Sequence, residues 1–249
     1  MEVRWFEQFL SDVSVEDDWF GPWERSHLLT LRFPKRRADW LLGRWTAKHA
    51  VAYELNLPHD AGGLAGIEIR PAASGAPEVF LGSEPANLAI SISHRGGIAA
   101  CAVAIGGAML GCDLEMVEPR SDAFVADYFT AEEQEVVRQA CPGDRFALIA
   151  LIWSAKESAL KAVRCGLRID TRSLSVELDD PNTAALNNAP ARAANALTAM
   201  PNFLQPWGAL RVSYMPQQVF HGWWFRCGDL VRTEVSFPPT QPPVSTIAR

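Results

Sequence analysis

The order of apolar, helical and turn-forming segments predicts an α+β fold built from two similar halves, with a ligand site in the cleft between them. Three observations lead there. Trp45-Thr46-Ala47-Lys48-His49 is echoed by Trp153-Ser154-Ala155-Lys156-Glu157, a short internal repeat. Each copy lies on a helical pattern that is followed by a strand and then a hairpin pattern. The 249 residues suffice for one large domain or two small ones. The halves are expected at 1–108 and 109–237, meeting near Gly106 to Leu110, and clefts of this kind are where ligands commonly bind.

Taken in order, Arg36 to Leu55 reads as a helix with Leu41, Trp45, Ala52 and Leu55 on one face and Pro58 closing it. Gly66 to Arg70 reads as a strand that enters a turn through Pro71, Gly75 and Pro77. Leu88 to Ser93 and Ile98 to Ile105 form a strand pair joined by His94-Arg95-Gly96-Gly97, and Met109 to Glu115 is a third strand. Thr130-Ala131-Glu132-Glu133 is a capping box that opens a helix ending near Cys141-Pro142-Gly143. A longer helix is expected from Asp144 to Arg164 with Gly166 as its stop. Leu174 to Leu178, Ala209 to Tyr214, Gly222 to Arg226 and Leu230 to Phe237 complete the strands. Asn182 to Met200 reads as a variable loop or weak helix, and the proline-rich stretch 238–249 as a disordered tail.

Composition excludes several classes of function. With 48% hydrophobic, 10% aromatic and 21% charged residues the chain has material for a packed core and is not disordered. A net charge of -6 argues against general nucleic-acid affinity and requires any anion site to be focused. The odd set Cys101, Cys112, Cys141, Cys165 and Cys227, with no Cys-x-x-Cys pair, fits reduced thiols and does not indicate zinc. Met1 to Asp18 lacks the basic start and apolar run of a signal peptide, and Gly96 to Cys112 is too short to span a bilayer. A cytoplasmic protein with no membrane partner is expected.

The chemistry concentrates in two segments. At about 100° per residue, Phe146, Ile149, Ala150, Trp153 and Leu160 share one helical stripe, and Glu157 projects from its middle. A carboxylate aimed into a core must be paired, protonated or bound to a cation. Lys161, one turn on, reaches the same ligand; taken alone, the two also suit an ordinary i,i+4 salt bridge. In Gly111-Cys112-Asp113-Leu114-Glu115, strand spacing puts Asp113 and Glu115 on one face. An isolated pair of this kind also marks the solvent side of an edge strand. With Glu157 it makes three hard oxygen donors suited to Mg²⁺. From Arg32 to Lys48 the cations Arg32, Lys35, Arg36, Arg37, Arg44 and Lys48 face only Asp39, which reads as an anion-binding patch or a solvated helix face. His94, beside Arg95-Gly96-Gly97, is a further candidate donor to phosphate.

Ser91-Ile92-Ser93-His94, Gly111-Cys112-Asp113-Leu114-Glu115 and Trp153-Ser154-Ala155-Lys156-Glu157-Ser158-Ala159-Leu160-Lys161-Ala162, in that order, resemble the 4'-phosphopantetheinyl transferases. Length and internal echo look like the longer surfactin-synthetase-activating type, a pseudo-dimer in one chain, so the halves would be related by a pseudo-twofold. The resemblance implies transfer of the phosphopantetheine arm of coenzyme A to a serine of an apo acyl or peptidyl carrier protein, releasing 3',5'-ADP. It implies Mg²⁺ on Asp113, Glu115 and Glu157, with Glu157 and Lys161 as catalytic residues. Ser93, His94, Arg36, Arg37, Arg44 and Lys48 would meet the phosphates of coenzyme A. Gly75-Ala76-Pro77 stands where many relatives have Gly-Lys-Pro, so a cationic contact is either missing or passes to Arg70 or Arg95; Cys165 likewise replaces a frequent lysine. A carboxylate bound to Mg²⁺ is a poor base, which leaves the proton acceptor open between Glu157, a water on the metal and Glu133, four residues after Phe129. A noncatalytic coenzyme A or carrier-protein binding module is the alternative. A metal-dependent nuclease is disfavoured by the acidic balance. A monomer suffices if the halves are fused.

Overall fold

The computed structural model describes residues 1–179, 207–215 and 218–246. In the first part of the chain β1 (Arg4–Phe9) precedes α1 (Pro22–Leu28), α2 (Pro34–Glu54) and α3 (Ala61–Ala65). Then come β2 (Ile67–Pro71), β3 (Pro77–Leu81), β4 (Glu84–Pro85), β5 (Leu88–Arg95), β6 (Ile98–Ile105) and β7 (Met109–Met116). After these lie α4 (Asp122–Tyr128), α5 (Ala131–Gln139), α6 (Arg145–Ala162) and β8 (Leu174–Leu178). The chain continues through β9 (Gly208–Tyr214), β10 (Gln218–Cys227), β11 (Leu230–Phe237) and β12 (Val244–Thr246).

The mixed α+β architecture is the one expected. One sheet has the order β12-β1-β6-β5, the second β7-β11-β10-β9-β8, and a small third β2-β3-β4. Helix α2 covers one face of the first sheet through Ala47, Val51, Phe6, Ile90, Cys101 and Val103. Helix α6 covers the second through Leu148, Ile152, Ala155, Phe220, Val231 and Val235. Between the sheets a third cluster joins Trp5, Ala100 and Ala102 to Cys112, Leu114 and Leu230. Small alanines there let the sheets approach closely.

Four sequence expectations shift. The β5–β6 turn contracts to Gly96-Gly97, whose φ values of +60° and +79° match the hairpin twist, so His94 and Arg95 extend β5. The left-handed residue that stops α6 is Arg164, at φ +57°, not Gly166; Cys165 N donates to Leu160 O at 3.2 Å. Helix α6 is not a one-stripe helix. Ala147 to Ile152, Ser154 to Lys156 and Ser158 to Leu160 are all buried, while Phe146, Trp153, Glu157 and Lys161 form its half-exposed line. A helix covered nearly all round carries no amphipathic period, which is why spacing misjudged its open side. Finally, the stretch after Pro238 is not all tail: Val244–Thr246 pairs in parallel with β1 and covers its outer edge. The expected loop Asn182 to Met200 lies outside the described residues.

The internal echo corresponds to one buried network made twice. Lys48 Nζ donates to Trp19 O at 2.8 Å and Leu64 O at 3.0 Å and pairs with Glu24. Glu24 accepts from Gly21 N and Ile69 N. Lys156 Nζ donates to Tyr128 O, Thr171 O and Leu174 O and pairs with Glu133 at 2.6 Å. Glu133 accepts from Thr130 N and Val176 N. Both lysines are 0% exposed and lie over an aromatic ring, Trp19 at 5.4 Å and Phe129 at 5.5 Å. Each pair locks a long helix to the short helix before it and to the strand after it.

Breaking one of these pairs leaves a buried charge unmatched. Lys156→Met is expected to lower unfolding free energy in denaturant by roughly 3–5 kcal/mol, with partial recovery in Lys156→Met/Glu133→Gln. A loss below about 1 kcal/mol would show that the pair is not a structural lock. His49 supplies an acid-sensitive term. Its Nδ1 lies 3.2 Å from His59 Nδ1, and burial, helped by His59, pulls its pKa down to about 4. The fold keeps His49 neutral while the unfolded chain takes up a proton near the ordinary value, so stability falls as pH drops from about 6.5 to about 4, by at most ~3 kcal/mol. Denaturant titrations of wild type and His49→Phe across that window should diverge; parallel curves would contradict this assignment.

Candidate functional site

The site stands where the two large sheets meet edge to edge. Strand β5 ends one sheet and β7 ends the other, and serine side chains bridge them. Ser91 Oγ accepts from Cys112 N at 2.9 Å, and Cys112 Sγ donates to Ser91 O at 3.1 Å. Two residues on, Ser93 Oγ accepts from Leu114 N at 3.2 Å and donates to Asp113 Oδ1 at 2.8 Å. Alternation along β5 puts both hydroxyls on the β7 side. Ser93 thus spends its single proton on Asp113, and its position serves the seam before any phosphate.

Helix α6 approaches β7 because residue 111 is glycine. A Cβ there would lie 1.8 Å from Ser158 O. Ser154 and Ser158 hydroxyls both meet Thr233 Oγ1, at 2.8 and 2.7 Å, which fixes the helix over β11. That approach delivers Lys161 Nζ to Cys112 O at 2.9 Å and to Asp113 Oδ1 at 2.8 Å. Burial works against the ammonium charge, but Asp113, Cys112 and Glu157 outweigh it and hold the Lys161 pKa above its ordinary value. Lys161 is therefore a fixed cation, not a proton acceptor.

Asp113 is 4% exposed, and its second oxygen, Oδ2, has no hydrogen-bond partner. Burial raises the pKa of Glu157, and the charges of Asp113 and Glu115 raise it further against Lys161. Burial also raises the pKa of Glu115, with Asp113 adding to it and Arg95 and Arg120 opposing. Glu115 Oε1 takes Arg120 at 3.0 Å and Arg95 at 3.3 Å. These shifts express burial first, and then the mutual repulsion of carboxylates within electrostatic reach of one another, which Lys161, Arg95 and Arg120 only partly offset. An orphaned buried oxygen in an all-oxygen donor set fits a hard divalent cation such as Mg²⁺. The fit rests on that chemistry, for among the described residues no three acidic, histidine or cysteine side chains form a closed ligand group.

The other candidates separate into two clefts. A 460 Å³ cleft is lined by Phe33, Lys35, Arg36, Asp39, Trp40 and His94, which puts Arg36 and an exposed His94 together. Arg37 donates to Leu28 O at 3.2 Å. Arg44 lies 5.1 Å over Trp40 with its Nε lacking a partner. Lys48 does not join them: fully buried and committed to Glu24, it has no route to a phosphate. A second cavity, of 290 Å³, brings Gly75, Ala76 and Pro77 against Ser91, Lys161 and Arg164.

Neither arginine considered as a replacement cation is free for that task. Arg70 is paired with Glu68 over Phe80, and Arg95 with Glu115 and Glu118. Arg164 is the cavity's second cation, and sequence reasoning missed it because nothing in a helix-end residue announces where its side chain goes. Arg120, in the segment between β7 and α4, was missed because only the folded chain brings it to Glu115. Glu133 is withdrawn as a proton acceptor, since Lys156, Thr130 N and Val176 N already occupy its buried carboxylate.

Residues 109–203, which include Asp113, Glu115, Glu157 and Lys161, match the family model of the 4'-phosphopantetheinyl transferase superfamily. The match covers less than half of the chain. A solved apo-ACPS structure from Chronobacterium ammoiniagenes is 25% identical over 42% of this chain and 96% of that one, with a TM-score of 0.34, which carries no structural argument. Among curated proteins nothing matches. No helix among the described residues is long and apolar enough to cross a membrane.

If the carboxylates take a cation, millimolar Mg²⁺ should raise the wild-type melting temperature by ~3 °C, as expected for about 1 kcal/mol of linkage in a chain of this size. Asp113→Asn and Glu157→Gln should each abolish the rise. A rise that survives both substitutions would locate the cation elsewhere.

Proposed function

We propose that this chain transfers the 4'-phosphopantetheine arm of coenzyme A to a serine of an apo acyl or peptidyl carrier protein, with Mg²⁺, releasing 3',5'-ADP. One observation carries it: Asp113 of β7, held by the protonated Lys161 of α6 and faced by Glu115 and Glu157, falls inside the segment that matches the transferase superfamily. Fold support comes from the twice-built Lys–Glu network and from the matching strand orders β1-β6-β5 and β7-β11-β10. They favour two related halves, 1–108 and 109–237, about a pseudo-twofold, as in the surfactin-synthetase-activating type; a monomeric, cytoplasmic enzyme is part of the same proposal.

Asp113, Glu115 and Glu157 would hold the Mg²⁺, which supplies charge neutralisation at the pyrophosphate. In the transfer a bond forms between the carrier serine Oγ and phosphorus, the bridging P–O bond breaks, and 3',5'-ADP leaves with its electron pair. This chemistry needs positioning and charge stabilisation more than a covalent intermediate. Lys161, kept protonated by Asp113, faces the negative charge that grows on the leaving group. Glu157 stands on the half-exposed line of α6, and because a carboxylate that holds a cation is a poor base, it would receive the serine proton through a water rather than directly. Arg36, Arg37 and Arg44, with His94, offer positive charge and donors to the nucleotide phosphates. Gly75, Ala76 and Pro77 bound the cavity beside Lys161.

A noncatalytic binding module is the competing reading. It has no use for three carboxylates crowded at a cost to stability. Glu157→Ala should fold with near wild-type melting and release no 3',5'-ADP in a chromatographic assay with carrier protein. Near-normal release would refute the role of Glu157. Lys161→Ala should keep the Mg²⁺-induced melting shift while its rate falls at least 10²-fold, the size of losing one charge-stabilising donor. Loss of both would make Lys161 an organiser of the site instead.

A further inference from the structure

The cavity beside Lys161 contains a cation that no sequence motif places there. Arg164 lies two residues past the end of α6, at φ +57°, a backbone conformation that favours glycine and is costly for a residue with a Cβ. Its N donates to Lys161 O at 3.0 Å, so the same turn that closes the helix carries this side chain to the cavity wall. The guanidinium is held there loosely. Its nearest acid is Glu78 Oε1 at 3.6 Å, beyond hydrogen-bond range, and the two side chains are 47% and 43% exposed.

The cavity's lining is one-sided in charge. Lys161 and Arg164 are its two cations, no carboxylate lines it, and Ile90, Ile92, Leu110 and Leu160 provide an apolar wall. Lys161 is engaged with Asp113, whereas Arg164 has five donors and one long ionic contact. An apolar wall with a loosely held guanidinium at its rim suits a ligand with a flat apolar body and a phosphate, the form of a nucleotide.

We infer that Arg164 is a phosphate-binding residue of this cavity, which leaves Glu78 for a phosphate at the nucleotide end of coenzyme A. The inference rests on the coenzyme A reading above. Glu78 then acts as an internal competitor, and the planar fork of Arg164 takes the phosphate in its place.

Calorimetric titration of coenzyme A and of 3',5'-ADP into wild type, Arg164→Gly and Glu78→Gln tests it. Arg164→Gly should bind both about tenfold more weakly, as for loss of one charge-assisted hydrogen bond, and with a shallower salt dependence. It should melt no lower than wild type, because glycine relaxes the backbone. Glu78→Gln should bind both two- to threefold more tightly. Unchanged affinities in the two variants, with wild type binding normally, would overturn the role of Arg164 and leave the coenzyme A reading intact. Absence of coenzyme A binding by wild type would overturn both. Should Arg164→Gly melt lower, Glu78→Gln decides, since it keeps the arginine in place.

Discussion

Everything at the site depends on how two sheet edges are joined without being merged. Strands β5 and β7 belong to different sheets, and the hydroxyls of Ser91 and Ser93 take the amide hydrogens of Cys112 and Leu114 that would otherwise be left unsatisfied. A merged ladder would have flattened this region. The side-chain seam instead leaves Asp113 bridged by Ser93 on one side and Lys161 on the other, with one oxygen uncommitted. Gly111 is the second half of the same constraint, because only a residue without Cβ lets α6 rest on β7 at this distance.

The seam needs two rigid bodies to join, and buried ion pairs provide the rigidity. Lys48 with Glu24 and Lys156 with Glu133 each tie a long helix to its surroundings through carbonyls from separate segments. Such pairs add little net stability over an apolar core, but they specify one arrangement, since every donor and acceptor has a designated partner. After the shared lysine the two copies diverge. His49 follows Lys48 and stacks with His59, whereas Glu157 follows Lys156 and faces Asp113. One copy is committed to structure, and the proposed chemistry falls to the other.

Much of this was legible from residues alone where local rules govern. The Thr130–Glu133 capping box formed as expected, because cap and N3 carboxylate satisfy each other over three residues. The Asp-x-Glu strand and the helix carrying Glu157 and Lys161 also formed, and the structure brings them together. What failed were readings that depend on remote packing. Lys48 reads as a surface cation among arginines, and only the distant Glu24 and Trp19 show that it is buried. The open side of α6 was misjudged because burial all round erases the hydrophobic period. Strand β12 was invisible because its pairing partner, β1, lies at the other end of the chain.

The decisive measurement is the intact mass of apo carrier proteins after incubation with this protein, coenzyme A and Mg²⁺, beside an EDTA control. The site built on this seam predicts a metal-dependent gain of one phosphopantetheine on a carrier serine. Coenzyme A binding with no mass gain on acyl or peptidyl carriers of any pathway would contradict it and leave a binding module in its place.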